Sequence, residues 1–121
     1  MTKRILAVDD SAAIRQAVGY TLRAAGYSVT EAVDGVDAAE KAEAARFDLV
    51  LTDLNMPRMD GLALIARLRG RPEYRRVPIL VLSTESSGEA KARGRAAGAS
   101  GWLVKPFEPA RLLEVAARVL G

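Results

Sequence analysis

Five short apolar runs alternate with stretches of helical spacing from one end of the chain to the other, and this alternation limits the fold more than any other feature. Ile5–Val8, Leu49–Leu51 and Ile79–Leu82 are continuously apolar, the form expected of central parallel strands buried on both faces. Tyr27–Ala32 instead alternates, with Tyr27 and Val29 set against Ser28 and Thr30, as a strand with one less buried face does. Gly101–Val104 supplies the fifth run. Between them, Ile14, Ala17, Val18, Thr21, Leu22 and Ala25 recur at helical spacing within 12–25, with Ser11 placed to cap that helix and Gly26 to stop it. Further helices are predicted over 36–45, 62–69 and 86–97. A last one opens at Pro109 and carries Leu112, Val115, Ala116 and Val119 on one face.

Strict strand–helix alternation requires a mostly parallel sheet whose right-handed crossovers place helices on both faces. At 121 residues the chain reads as one α/β domain, residues 1–121. The edge-like second run and the apolar first, third and fourth runs suit a flavodoxin-like doubly wound (βα)5 sandwich, with parallel strands in the order 2-1-3-4-5. In that order ligands bind beyond the carboxyl ends of strands 1 and 3, where the winding reverses. No apolar run approaches the roughly 20 residues needed to span a bilayer, and the start shows no cleavage pattern, so a cytoplasmic protein without membrane insertion is expected.

Four strand ends carry chemistry. The first ends in Asp9-Asp10, the third in Asp53, the fourth in Ser83-Thr84 and the fifth in Lys105-Pro106. With no Cys and no His, the chain has neither thiolate nor imidazole chemistry, and these carboxylates, hydroxyls and the amine are what remains. Carboxylates hold Mg2+, and Lys and hydroxyl groups meet phosphate oxygens. Like charges about 5 Å apart repel by roughly 3 kcal/mol at an effective dielectric of 20, which a divalent cation relieves. Singly, an acid pair is a helix cap, Asp53 a turn, a hydroxyl a cap and a Lys a solvated side chain; their joint placement on one edge argues for a site. The net charge of +3 comes largely from Arg67, Arg69, Arg71, Arg75 and Arg76 and from Lys91, Arg93 and Arg95. These runs read as solvated faces, with an acidic-partner surface as the alternative.

Val8-Asp9-Asp10-Ser11, the stretch from Thr52 to Gly61, Leu82-Ser83-Thr84-Glu85 and the stretch from Gly98 to Phe107 follow an order and spacing that resembles the receiver domains of two-component response regulators. The likeness is closest to the single-domain chemotaxis type called CheY and covers essentially the whole chain. It implies that Asp53 accepts a phosphoryl group from a phosphohistidine on a sensor histidine kinase. It also implies that Asp10, Asp53 and the Asn55 carbonyl bind Mg2+ directly, with Asp9 acting through a bound water. Lys105 and Ser83 would stabilise the phosphoryl oxygens. Lys105-Pro106 resembles the family's cis peptide. Ser83, Thr84 and Trp102 would form the signalling switch, read on the fourth helix, fifth strand and fifth helix.

The resemblance implies a monomeric signalling module and not an enzyme, without an output domain and without direct nucleic-acid contact. It would be read by a separate protein such as the flagellar motor switch; a phosphorelay intermediate or phosphate sink is the alternative. A phosphatase of the haloacid-dehalogenase type would need Asp-x-Asp after the first strand, whereas Asp9 and Asp10 are adjacent. A flavin site would need a Gly-containing phosphate loop where Asp9-Asp10 repels anions. Two features depart from the expected pattern. Trp102 stands where the family usually has Tyr or Phe, and Gly88 and Gly94 interrupt the fourth helix, reading equally as mobility or as tolerated weakness.

Overall fold

Residues whose side chains alternate between two buried faces build the centre of the molecule. The computed structural model describes residues 2–121. In chain order the elements are β1 (Arg4–Val8), α1 (Ala12–Ala24), β2 (Ser28–Ala32), α2 (Gly35–Ala44), β3 (Leu49–Thr52), α3 (Gly61–Arg69), a 3-10 turn (Pro72–Tyr74), β4 (Ile79–Ser83), α4 (Gly88–Ala97), β5 (Gly101–Val104) and α5 (Pro109–Leu120). The strands form one parallel sheet in the order β2-β1-β3-β4-β5. The doubly wound arrangement expected from the alternation is therefore the one adopted.

The period of two divides each central strand between two cores. Leu6 and Val8 of β1, Val50 of β3 and Ile79 and Val81 of β4 join Ala38, Ala39 and Ala42 of α2 and Leu64, Ile65 and Leu68 of α3. Ile5 and Ala7, Leu49 and Leu51, and Leu80 and Leu82 face the other way, onto Val18 and Leu22 of α1 and Leu112, Val115 and Ala116 of α5. Burying one such Leu or Ile side chain contributes about 1.5–3 kcal/mol, so a polar substitution at a fully buried position such as Leu6 would take a large share of the about 5–15 kcal/mol that holds a domain folded.

Helix starts are fixed by local hydrogen bonds that leave the strand ends free for other work. Ser11, Asp34, Asp60 and Ser87 each accept, through the side chain, from the backbone N–H three residues on; each cap contributes about 1 kcal/mol. Register then aligns the carboxyl ends. Val8 lies opposite Thr52, Thr52 opposite Val81, and Ser83 opposite Val104. The residues that follow emerge together on one rim.

One element is added to those expected, and two local readings of the sequence are corrected. The 3-10 turn Pro72–Tyr74 is unexpected, and its Tyr74 hydroxyl, fully buried, donates to the carbonyls of Ala42 and Ala45. Arg69 belongs to no solvated face, because its guanidinium donates to the carbonyls of Gly98, Tyr74 and Val77 and to Ser100 Oγ. Gly88 is the first residue of α4. Gly94 lies beneath Trp102, where an added Cβ would lie 2.7 Å from the ring.

Candidate functional site

The sheet's ladder continues one residue past β1 and β3, and that residue is an aspartate in both cases. The Asp9 N–H donates to the Ala32 carbonyl at 3.1 Å and the Asp53 N–H to the Val8 carbonyl at 3.0 Å. Backbone bonding thus holds both carboxylates at the rim, where each is largely buried, while Asp10 points to solvent. One carboxylate oxygen from each of Asp9, Asp10 and Asp53 comes within 4.8 Å of the others.

Opposite them stands one cation. The Lys105 backbone N–H donates to the Ser83 carbonyl at 2.8 Å, tying the end of β5 to that of β4, and Lys105-Pro106 is cis. Lys105 Nζ reaches Asp9 Oδ2 at 2.7 Å and Asp53 Oδ2 at 3.2 Å, so it bridges both buried acids. Asp10 is left outside this bridge. The remaining oxygens are also engaged: Asp9 Oδ1 accepts from the Ser11 N–H at 2.9 Å and Asp53 Oδ1 from the Leu54 N–H at 2.7 Å.

Burial pushes the Asp53 carboxyl above the usual aspartate range; the Leu54 N–H opposes this, Asp9 reinforces it, and Lys105 opposes it again. For Lys105, burial acts against the charge. The hydrogen bond to Asp9 and the Asp53 carboxylate outweigh it, and the ammonium is held above its ordinary value. Three acids facing one amine leave a surplus of negative charge at the rim. Hard oxygen donors converging at this spacing fit a divalent cation of the Mg2+ type, with Asp9, Asp10 and Asp53 as the side chains that would hold it.

The other residues marked by the sequence lie around this centre. Ser83 is fully buried, and its Oγ accepts from the Glu85 N–H at 3.1 Å. Asn55 and Thr84 are exposed, Asn55 on the loop that leaves Asp53. That loop returns to its origin, because the Gly61 N–H donates to the Leu54 carbonyl at 2.8 Å and a Cβ on Gly61 would lie 2.2 Å from the Asp53 carbonyl oxygen. Trp102 is half-buried, not turned outward. Its ring covers Gly94, and its Nε1 donates at 2.8 Å to the carbonyl of Glu85, two residues beyond Ser83.

Two contacts near the site have no clear signal in the sequence. Arg15 Nη1 donates to the Asp9 carbonyl at 2.7 Å, and Arg58 pairs with Asp34 across the loop after β3. Arg15 lies on α1 at ordinary helical spacing, and nothing in its neighbours marks it out. Asp34 and Gly35 lie just before the helix predicted over 36–45.

Comparison with known proteins agrees with this geometry. A family model described as the response regulator receiver domain matches residues 5–117. Chemotaxis protein CheY1 of Helicobacter pylori is 38% identical over 98% of this chain and 97% of its own length. A gliding motility regulatory protein of Myxococcus xanthus is 45% identical over 84% of this chain, but the match spans only 13% of that larger protein. Among solved structures, the Vibrio cholerae chemotaxis protein CheY4 superposes with a TM-score of 0.96 at 50% identity, covering 99% of this chain and 100% of that one. The receiver domain of a sensor histidine kinase from Pseudomonas aeruginosa, solved with a magnesium ion in its active-site cleft, superposes at 0.93 with 32% identity, covering 100% and 99%. A fold legible from its alternating runs, an acid cluster at its switch point and a family match along nearly all of its length lead to one conclusion: the chain belongs to the response regulator receiver domain family and is CheY-like.

Proposed function

We propose that this receiver accepts a phosphoryl group on Asp53 and signals by reversible contact with a separate protein. The observation that carries the reading is the Lys105 ammonium bridging Asp9 and Asp53 beside Asp10, a set in which the acids outnumber the amine. An Asp53 carboxylate oxygen attacks the phosphorus of a phosphohistidine on a sensor histidine kinase. The phosphorus–nitrogen bond breaks, its electron pair returns to the imidazole, and an acyl phosphate forms on Asp53. Asp9, Asp10, Asp53 and the Asn55 carbonyl would hold Mg2+, which when bound supplies positive charge against the phosphoryl oxygens.

Lys105 is placed to exchange its ion pair with Asp53 for one with a phosphoryl oxygen. The Ser83 hydroxyl, which accepts from Glu85, keeps its own proton to donate to the same group. Phosphorylation adds about −1.5 to −2 charges, enough to draw Ser83 and the loop after β4 toward Asp53. Thr84 lies on that loop, and through the Glu85 carbonyl the movement reaches Trp102 on β5.

The names of the chemotaxis relatives support a role in chemotaxis, with the flagellar motor switch as the downstream partner. The likeness to a kinase-attached receiver supports a second reading, as a relay or phosphate sink. No helix among the described residues is long and apolar enough to cross a membrane. We place the protein in the cytoplasm, where it would meet its kinase. Mass spectrometry after incubation with acetyl phosphate and Mg2+ tests the chemistry. One phosphoryl adduct is expected on wild type and none on Asp53→Asn; an adduct that persists in Asp53→Asn would overturn the assignment.

A further inference from the structure

The loop between Asp53 and α3 is tied to a part of the molecule that the proposed chemistry does not use. Arg58, near its middle, is the only non-glycine residue with positive φ among the described residues, at 66°. Left-handed backbone is unfavourable for a residue with a Cβ, and an arginine has no short side chain to compensate through its own backbone. Something outside the loop must hold it there.

Asp34, the N-cap of α2, does so. Arg58 Nε donates to Asp34 Oδ2 at 2.7 Å and Nη2 to Oδ1 at 3.1 Å, a two-pronged pair that fixes direction as well as distance. The aspartate is itself anchored: its side chain is 6% exposed and its Oδ1 also accepts from the Asp37 N–H at 2.8 Å. The next residue along each segment repeats the attachment, because the Gly35 N–H donates to the Met59 carbonyl at 3.1 Å. That approach requires glycine, since a Cβ on Gly35 would lie 2.3 Å from the Met59 oxygen. Two adjacent loop residues are thus fastened to two adjacent residues at the start of α2.

The other end of the same loop is closed by the Gly61 N–H on the Leu54 carbonyl, and Asn55 lies between the two fastenings. The loop that leaves Asp53 is thus held near both of its ends. We infer that the Arg58–Asp34 pair is a positioning device, which holds the left-handed loop that leaves Asp53 and, with it, the Asn55 carbonyl proposed above as a cation ligand. The Arg58 guanidinium pairs with Asp34, and so acts through the backbone. Because binding free energies are reciprocal, cation binding would in turn steady the start of α2.

This inference rests on the Mg2+ reading of the acid cluster, and the experiment separates the two. MgCl2 is titrated calorimetrically into wild type, Asp10→Asn, Asp34→Asn, Arg58→Gly and Arg58→Ala, each checked for native circular dichroism. Wild-type binding that is lost in Asp10→Asn upholds the acid cluster by itself; no binding to wild type sinks both ideas. Asp34→Asn keeps the capping oxygen but loses the charge, while Arg58→Gly loses the pair and also relieves the backbone. Both are expected to bind Mg2+ about tenfold more weakly, as loss of a supporting group around a metal commonly does. Arg58→Gly should do so with a melting temperature at or above that of Arg58→Ala. Wild-type affinity in Asp34→Asn and Arg58→Gly would overturn the inference, as would a loss confined to Arg58→Ala, which would trace to backbone strain alone.

Discussion

The two ends of the sheet bury charged groups in opposite ways. At the amino ends of β4 and β5, Arg69 is surrounded by neutral acceptors, the carbonyls of Gly98, Tyr74 and Val77 and the Ser100 hydroxyl, and Tyr74 nearby donates to two further carbonyls. Every nitrogen of the guanidinium meets a neutral oxygen, three of those oxygens being backbone carbonyls. At the carboxyl ends, Asp9 and Asp53 are held by Lys105, and Asp10 adds a third negative charge that no ammonium meets. A saturated polar network stabilises a fold; an unbalanced one is retained where a ligand completes it.

Substitution at the saturated end should therefore have the larger effect on stability and be indifferent to Mg2+. Arg69→Ala strands three carbonyls at once and leaves the Ser100 hydroxyl only the Ile79 N–H. Each bond to a charged donor is worth about 1.5–3 kcal/mol in isolation, but partial solvent access and water rescue some of them, so a net loss of about 3 kcal/mol is expected. Urea unfolding with EDTA and with millimolar Mg2+ should give the same difference from wild type. A Mg2+-dependent difference would break the contrast between the two ends.

Lys105→Ala should come second and behave oppositely. Although the sequence alone suggests that this ammonium serves only the phosphoryl group, the structure gives it a standing role between two buried acids. Its removal leaves both uncompensated, at a cost of about 2 kcal/mol after discounting for the solvent that reaches the rim. Part of that loss should return on adding Mg2+, because the cation no longer competes with an ammonium for Asp9 and Asp53. At about ten times its dissociation constant a ligand adds about 1.4 kcal/mol. A variant equally destabilised with and without Mg2+ would place Lys105 with Arg69, as a structural cation.

Why one end was legible in the sequence and the other was not follows from the same contrast. Parallel strands of similar length must end on a common rim, so reading Asp9, Asp10, Asp53, Ser83 and Lys105 as neighbours needs only the strand pattern and the order of strands. Arg69 gives no such signal. Its acceptors come from the end of α4, the 3-10 turn and the approach to β4, and their convergence on one guanidinium is a product of packing. Arg58 is hidden for a similar reason: its left-handed backbone is compensated by Asp34, which is remote in sequence. Gly94 misleads because helix propensity is a property of the helix alone, whereas its lack of a Cβ answers to the indole on β5.

Proton linkage sharpens the comparison at the carboxyl end. Because the folded Asp53 pKa lies above its unfolded value, its charge works against folding at neutral pH, and the penalty is relieved as pH falls through the raised value toward the ordinary one near 3.9. Asp34 has the opposite sign. Its hydrogen bond from Arg58 lowers its pKa, so its stabilising contribution is present above the ordinary aspartate value and is lost as pH falls through the lowered one. In EDTA the stability deficit of wild type relative to Asp53→Asn should shrink on acidification from pH 7 to about 4, and a deficit that grows would contradict the burial of a charged Asp53. Asp10→Asn, which removes the acid outside the Lys105 bridge, should raise the melting temperature by about 2 °C in EDTA and abolish the rise produced by Mg2+.

The smallest effect is expected at Trp102, which faces neither end directly and links α4 to the loop after β4. Gly94→Ala adds a methyl group 2.7 Å from the ring and 3.3 Å from a second ring carbon, so the indole must give way. Helix propensity favours the alanine by about 1 kcal/mol, and the displaced ring offsets most of it, leaving stability within about 0.5 kcal/mol of wild type. The spectrum should nevertheless move, because shifting the ring loosens the bond from its Nε1 to the Glu85 carbonyl. With Mg2+ and then beryllofluoride, wild-type emission should change as Ser83 and its loop are drawn toward Asp53, and that change should vanish in both Asp53→Asn and Ser83→Ala. In Gly94→Ala the resting spectrum should already lie toward the beryllofluoride-bound one, with a smaller further response. An unaltered resting spectrum together with the full propensity gain would mean that the indole does not rest on Gly94 in solution, and the route from Asp53 to β5 would then have to bypass Trp102.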